Sequence, residues 1–154
     1  MAASARRSAA REAPDGMSGS DVDDAMMIRL GLALERIERK CVGFAGAMLF
    51  RGSQAVPLVS LLPDFGSDEA RRTLTRVATA VRMQLDLLED STLGRYVDSV
   101  TSTERGALLV QAIGDDLLVV SLAGSPPDVA PAWRALAAER AEMAEAAEGL
   151  FRAD

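Results

Sequence analysis

The chain has 154 residues, of which 49% are hydrophobic and 26% are charged, and its formal net charge is −6. An acidic domain repels phosphate backbones, and no apolar run approaches the roughly 18 residues of a membrane-spanning helix, so we expect neither nucleic-acid binding nor direct membrane insertion. One cysteine and no histidine exclude an intrachain disulfide and remove the usual general base and zinc ligand.

The N-terminal part of the chain divides into a tail and a helix. Residues 1–20 contain small residues and arginines without periodicity, which predicts a disordered tail. This segment lacks the apolar core of a signal peptide, so we expect a cytoplasmic protein. A helix follows from Ser20 or Asp21 to about Lys40. Its apolar residues recur at helical spacing, at Leu30, Leu34, Ile37 and Cys41.

Residues 42–50, VGFAGAMLF, predict a strand that is apolar on both faces and therefore central in a sheet. Alternation assigns one face to Val42, Phe44, Met48 and Phe50. Gly43 and Gly46 form a G-x-x-G pattern, which in nucleic-acid modules is a basic, exposed loop. In this apolar strand the two glycines favour close packing instead.

A second strand and a long helix come next. Residues 54–62 predict a strand at a sheet edge, because Pro57 cannot donate to a ladder. Ser67 is the expected N-cap of the helix, which begins with Asp68 and Glu69 and runs to about Leu88. Its main apolar stripe is Leu74, Val77, Val81, Leu85 and Leu88, and Ala78, Met83 and Leu87 widen the apolar arc. This arc exceeds what one sheet requires, which leaves surface for a second partner.

The C-terminal part predicts three strands and a last helix. The strand-like segments are 93–100, 106–113 and 117–123, and residues 114–116 are typical of a hairpin turn. The mixed polarity of the first segment indicates a sheet edge. The last helix covers about 128–151. The element order is therefore helix, two strands, long helix, three strands, helix.

The sequence contains no recognised catalytic motif. The only lysine, Lys40, does not follow the glycines of a phosphate-binding loop. Asp86, Glu89 and Asp90 cluster at the end of the long helix, where they oppose the helix macrodipole. They could act as an acid–base pair or bind a basic partner, although solvated surface charge explains them more simply. We predict no catalytic residue, no metal ligand, no cofactor and no enzymatic activity.

The broad apolar arc and the adjoining edge segment predict a homodimer, because a two-fold axis would bury both features against their own copies. The predicted interface consists of Leu74, Val77, Val81, Leu85, Leu88, Tyr96 and Val97. The long helix also carries four arginines that either contact a partner or are only solvated: Arg71, Arg72, Arg76 and Arg82.

Several segments resemble the Roadblock/LC7 family. They are LGLALERIERK, VGFAGAMLF followed by Arg51-Gly52, EARRTLTRVATAVRMQLDLL, and GRYVDSVTSTERGALLVQAIGDDLLVVSL with its glycine–aspartate hairpin. The resemblance covers roughly residues 24–145 and rests on element order and pattern. The sequence departs from the family at Pro57 and in the loop 63–67.

The resemblance implies an α/β (α+β) fold with the order α-β-β-α-β-β-β-α, in a single domain over 21–151. A five-stranded antiparallel sheet would carry the long central helix on one face and the terminal helices on the other. Family members form homodimers through the long helix and the third strand, and bacterial members commonly regulate a Ras-like small GTPase. The implied function is a homodimeric regulatory or scaffold protein that positions the GTPase's own residues.

Two alternatives remain open from the sequence. A secretion chaperone is also small, acidic, dimeric and mixed α/β, but its usual order has three strands before the middle helix and two after it. An enzyme that uses carboxylates would depend on Asp86, Glu89 and Asp90.

Overall fold

The computed structural model describes residues 19–89 and 91–152. Its three helices and five strands follow the predicted order, which confirms the α+β class. They are α1 (Gly19–Lys40), β1 (Phe44–Arg51), β2 (Val56–Leu61), α2 (Ser67–Leu88), β3 (Asp98–Ser102), β4 (Gly106–Ile113), β5 (Asp116–Ala123) and α3 (Val129–Arg152). Within this described part, no helix is long and apolar enough to cross a membrane.

The predicted tail and the start of the first helix require a small correction. The helix α1 begins at Gly19, so the last two residues of the predicted tail are helical. Residues 1–18 lie outside the described residues, and their predicted disorder stays a prediction.

The strands form one antiparallel sheet in the order β2-β1-β5-β4-β3. The two edges are therefore β2 and β3, and β1 is an inner strand as predicted. In β2, Pro57 lies opposite Phe50, where the register with β1 shifts. The predicted edge position of β2 is confirmed, since β2 pairs only with β1 among the described strands. A proline, which has no N–H to donate, is tolerated in a strand that has a neighbour on one side only.

The sheet has a hydrophobic core on each face. The helices α1 and α3 cover one face, where the largest buried side chains include Leu30, Leu34, Ile37, Leu49, Leu118 and Leu136. Among the described elements, only α2 covers the other face, above Met48, Phe50, Val110 and Val119. This two-sided arrangement is the one that the family resemblance implied.

A bulge in β1 makes the predicted alternation wrong at Phe44. The register with β5 shifts between Phe44 and Gly46, and Gly46 has a φ of 152°. An inserted residue exchanges the faces of a strand on either side of it. Phe44 therefore packs with Ala47 and Leu49 on the α1–α3 side, whereas Met48 lies under α2.

The third strand begins later than predicted, at Asp98 instead of residue 93. The chain leaves α2 through a turn, in which the Ser91 amide donates to the Leu88 carbonyl oxygen and Gly94 has a φ of 90°. It joins the sheet only at Val97, whose carbonyl oxygen accepts a hydrogen bond from the Ala112 amide. The segment before Val97 therefore connects the end of α2 to the edge of the sheet.

The start of α2 also differs from the prediction. The N-cap is Gly66, with a left-handed φ of 73° and no side-chain capping bond, and Ser67 is the first helical residue. The Gly66 carbonyl oxygen accepts the Ala70 amide hydrogen. Asp68 and Glu69 in the first turn complement the helix dipole without a side-chain cap.

Ion pairs connect α1 to α3. The Arg29 guanidinium contacts Glu142 at 2.9 Å and Glu145 at 2.6 Å, and Arg36 contacts Glu139 at 2.8 Å. Hydrogen bonds from Arg29 hold the pKa of the Glu142 carboxyl below its usual value. These contacts set the alignment of the two terminal helices, which lie away from α2 and its exposed surface.

Candidate interaction surface

The helix α2 presents a second apolar side to solvent. Leu74, Ala78 and Val81 face the sheet and are buried. On the outer side, Met83 is 65% exposed and Leu87 is 84% exposed. Large apolar side chains with this exposure, in a helix already packed on its other side, indicate a contact surface.

Two further large apolar side chains are exposed between the end of α2 and the edge strand β3. Leu93 is 80% exposed and Val97 is 49% exposed, immediately before the edge strand β3. We call the exposed side chains of Met83, Leu87, Leu93 and Val97 together with the open edge of β3 the α2–β3 surface. An open edge offers unpaired backbone groups that a further strand can bond.

The structure divides the seven predicted interface residues into three groups. Leu74 and Val81 are buried in the chain's own core, because the strongest apolar stripe of α2 packs on its own sheet. Four residues are half-buried beside that core: Val77, Leu85, Leu88 and Tyr96. Only Val97 is exposed. The prediction is therefore corrected at Leu74 and Val81, and an interface involving the others stays a prediction.

Sequence reasoning missed Met83, Leu87 and Leu93 as interface candidates. The signal for the two helical residues was present, since both lie in the apolar arc outside the main stripe. Leu93 was misassigned to a strand, and its exposure follows from the loop between α2 and β3.

A cleft of about 470 Å³ lies between the C-terminal end of α2 and the hairpin that joins β4 to β5. Leu85, Leu88, Tyr96 and Leu117 supply its apolar lining. The Tyr96 hydroxyl shares a 2.8 Å hydrogen bond with the Ser99 hydroxyl, and burial raises the pKa of Tyr96. Tyr96 is therefore uncharged near neutral pH. Its hydrogen bond to Ser99 ties the segment before β3 to that strand.

Charged side chains line the rim of the cleft. Arg95 pairs with Asp115 at 3.1 Å, and Arg82 Nη2 donates to the Asp115 carbonyl oxygen at 2.6 Å. Asp86 and Glu89 are exposed at the end of α2, and Asp90 lies outside the described residues. Of the four predicted partner-binding arginines, the cleft holds only Arg82, and Arg71, Arg72 and Arg76 are exposed along α2.

The described residues contain neither a metal-binding cluster of side chains nor an activated thiol. Across residues 19–89 and 91–152, no group of three or more acidic or cysteine side chains is placed to hold a metal ion. The one thiol, Cys41, is half-buried beside the α1–α3 core, and burial raises its pKa. A thiol that is mostly protonated is a poor nucleophile.

The sheet order and the placement of the helices define a Roadblock/LC7-type fold. The gliding protein MglB from Thermus thermophilus has a similar structure, with a TM-score of 0.61 and 22% identity over 80% of this chain and 92% of that one. A structure of MglB with a tetrameric arrangement gives 0.62 and 21% over 82% and 93%. A Roadblock/LC7 domain from Streptomyces avermitilis gives 0.52 and 15% over 78% and 95%.

At these identities, the structural similarity establishes the fold alone. No protein-family model matches the sequence, and a comparison with curated proteins also finds no significant match.

Proposed function

We propose that this chain is a non-enzymatic, homodimeric regulator or scaffold that binds a Ras-like small GTPase in the cytoplasm. The observation that carries the proposal is the α2–β3 surface, where large apolar side chains are exposed beside an open sheet edge. The Roadblock/LC7-type fold supports it, because the family resemblance implies homodimers and GTPase regulation.

A dimer would bury the exposed apolar side chains of α2 and pair the open edge of β3 in one interface. A two-fold axis beside β3 would pair this strand with its copy and extend the sheet across both subunits. The same axis would remove Met83, Leu87, Leu93 and Val97 from water. Each large apolar side chain contributes roughly 1.5–3 kcal/mol when it is fully buried.

A role in regulation is consistent with the site chemistry. A GTPase activator can position the GTPase's own residues and need not supply a reacting side chain. The exposed arginines on α2 provide polar contacts for such positioning or for the dimer itself. MglB, which shares the fold, is described as a gliding protein and has been observed in a tetrameric arrangement.

The strand order separates this proposal from the chaperone alternative. Two strands precede α2 and three follow it, whereas a secretion chaperone has the reverse division. The carboxylate-enzyme alternative receives no specific support, since Asp86 and Glu89 are exposed on a cleft rim.

The double substitution Met83→Asp/Leu87→Asp should convert the proposed dimer to a monomer. Burying two unpaired carboxylates per subunit costs several kcal/mol, so we expect the dissociation constant to rise by roughly a hundredfold or more. Sedimentation velocity over a concentration series measures this change. Both side chains are exposed in the single chain, so the subunit should remain folded.

The matched control for this experiment is Ile28→Asp. Ile28 is a 62% exposed apolar residue on α1, which lies on the opposite face of the sheet. This variant should sediment as the same dimer as the unmodified protein. A Met83→Asp/Leu87→Asp protein that sediments as the dimer at the same concentrations would contradict the proposed interface.

A further inference from the structure

The cleft at the C-terminal end of α2 carries more negative than positive charge. Asp86 and Glu89 on its rim are exposed and form no ion pair among the described residues. Its other two carboxylates, Asp115 and Asp116, each pair with an arginine of the chain. The last turn of α2 has no basic residue, so the negative end of the helix dipole adds to the two free carboxylates. The cleft therefore favours a positively charged occupant.

The cleft also contains a buried hydrogen-bond donor that lacks an acceptor. Arg82 Nη2 donates to the Asp115 carbonyl oxygen at 2.6 Å, whereas Nε of the same guanidinium is buried and has no partner among the described residues. Buried donors are nearly always paired, because an unpaired donor loses its bond to water without replacement. A peptide segment with basic side chains supplies both missing partners, since its guanidiniums carry positive charge and its backbone carbonyls accept hydrogen bonds.

Residues 1–11 of this chain have the chemistry that the cleft lacks. They include Arg6, Arg7 and Arg11 and no carboxylate side chain, and the residues between these arginines are serine and alanine. Arginine stems and alanine methyl groups can lie on the apolar floor of the cleft while the guanidiniums reach the carboxylates at its rim. A segment without hydrophobic periodicity can become ordered when it binds.

The helix that follows this segment begins at the same end of the molecule as the cleft. The start of α1 lies beside the end of α3, where Met26 packs on Gly149. Two residues before that glycine, the carbonyl oxygen of α3 accepts a hydrogen bond from Arg51. Arg51 also binds Asp116, which lines the cleft. A short series of contacts therefore connects the start of α1 to the cleft around the β4–β5 hairpin.

The chain between Arg11 and Gly19 is long enough to pass this hairpin. The two residues are eight positions apart, and an extended chain spans about 3.3–3.6 Å per residue, which gives a reach of roughly 26–29 Å. Packed layers lie about 10 Å apart, so the two helical layers of the sheet are separated by roughly 20 Å. A short tether also holds the segment at an effective concentration of roughly millimolar, so weak ion pairs suffice for binding.

We propose that residues 6–11 bind in the cleft of their own chain, with their arginines against Asp86 and Glu89 and a backbone carbonyl oxygen beside Arg82 Nε. This inference goes beyond the proposed function and applies equally to a single chain and to a dimer. The bound segment would border the α2–β3 surface at the end of α2, where it would limit what that surface can contact.

A spin label on the segment tests this contact in the 154-residue chain. Cys41→Ala removes the one native thiol, and Ser8→Cys provides a site for a nitroxide between the arginines. The amide NMR signals of Gly94 and Gly114, which line the cleft, should lose most of their intensity. The signal of Gly124, which follows β5 at the opposite end of the sheet, should keep it. An excess of unlabelled protein should leave this loss unchanged, because the contact is within one chain.

Charge removal separates binding in the cleft from mere proximity to it. Asp86→Asn/Glu89→Gln should restore most of the Gly94 intensity, and high salt should act in the same direction. The matched control is Asp68→Asn/Glu69→Gln, which removes the same charge from exposed positions at the other end of α2 and should leave the loss unchanged. The dispersion of the amide signals establishes that each variant is folded.

Three results would overturn the proposal. The first is a Gly94 signal of full intensity in the spin-labelled protein. The second is a loss of intensity that persists in the Asp86→Asn/Glu89→Gln variant, because the free carboxylates would then not hold the segment. The third is a loss that disappears when unlabelled protein is added in excess, because the segment would then bind a second copy. Each result leaves the proposed binding of a small GTPase untouched.

Discussion

Arg51→Met should lower the free energy of unfolding by about 3–5 kcal/mol, because it leaves a buried carboxylate without its cation. Asp116 is only 4% exposed, and Arg51 donates two hydrogen bonds of 3.1 Å to it. The same guanidinium donates at 2.6 Å to the carbonyl oxygen of Ala147. One side chain therefore joins β1, β5 and α3, and urea unfolding of the purified variant measures its contribution.

Arg95→Met provides the matched control for this loss. Arg95 forms the same kind of pair with Asp115, but both side chains are more than 80% exposed, so its removal should cost about 1 kcal/mol or less. Adding Asp116→Asn to the Arg51 variant should recover part of the stability, because a neutral amide is less costly to bury. An Arg51 variant no less stable than the Arg95 variant would contradict this account.

Gly43→Ala should destabilise the fold by about 3 kcal/mol through two separate effects. Gly43 has a φ of 75°, a left-handed conformation that costs an L-residue roughly 1–2 kcal/mol. An added Cβ would also overlap the carbonyl oxygen of Ala123, which is backbone and cannot rotate away. The Ala123 amide donates to the Gly43 carbonyl oxygen at 2.7 Å, so relieving the overlap would disturb the end of β5.

Gly52→Ala isolates the first of these effects, the cost of the backbone conformation. Gly52 has nearly the same φ, 79°, but nothing lies within 4 Å of an added Cβ. We expect this variant to lose only roughly 1–2 kcal/mol. Equilibrium unfolding of the two variants side by side gives the difference. Equal losses would show that the Ala123 carbonyl accommodates a methyl group, contrary to the packing at this turn.

The elements with strong local signals were predictable from the sequence. The periodic stripe and acidic first turn of α2 indicated a long helix to about Leu88, and the structure contains it one residue longer at its start, from Ser67 to Leu88. Pro57 identified β2 as an edge strand, and residues 114–116 indicated the β4–β5 hairpin. Each of these features is determined by residues that are close together in the sequence: a helical period, a proline without an N–H, or a short turn. Such local signals can be recognised in a single sequence.

Features that depend on tertiary packing were not predictable in the same way. The bulge at Gly46 moves Phe44 to the other face of β1, and alternation alone does not account for an inserted residue. The late start of β3 reflects the distance from the end of α2 to the sheet edge. The cap at Gly66 replaces the expected serine because the chain enters α2 in a left-handed turn.

The candidate surface illustrates the same division. The sequence showed that α2 has more apolar residues than one sheet can cover, and this holds in the structure. It did not show which side meets the sheet, so Leu74 and Val81 were assigned to the surface although they are buried. Met83 and Leu87 lie on the outer side of α2, because packing the longer apolar stripe on β1, β4 and β5 buries more apolar surface area.

Recovery of a small GTPase by the 154-residue chain tests the central claim most directly. The immobilised protein and its Met83→Asp/Leu87→Asp variant would be incubated with extract of the source cells containing a non-hydrolysable GTP analogue, and the retained proteins identified by mass spectrometry. We predict that the unmodified protein retains a Ras-like small GTPase and that the variant does not. A folded, dimeric protein that retains no small GTPase would contradict the proposed function.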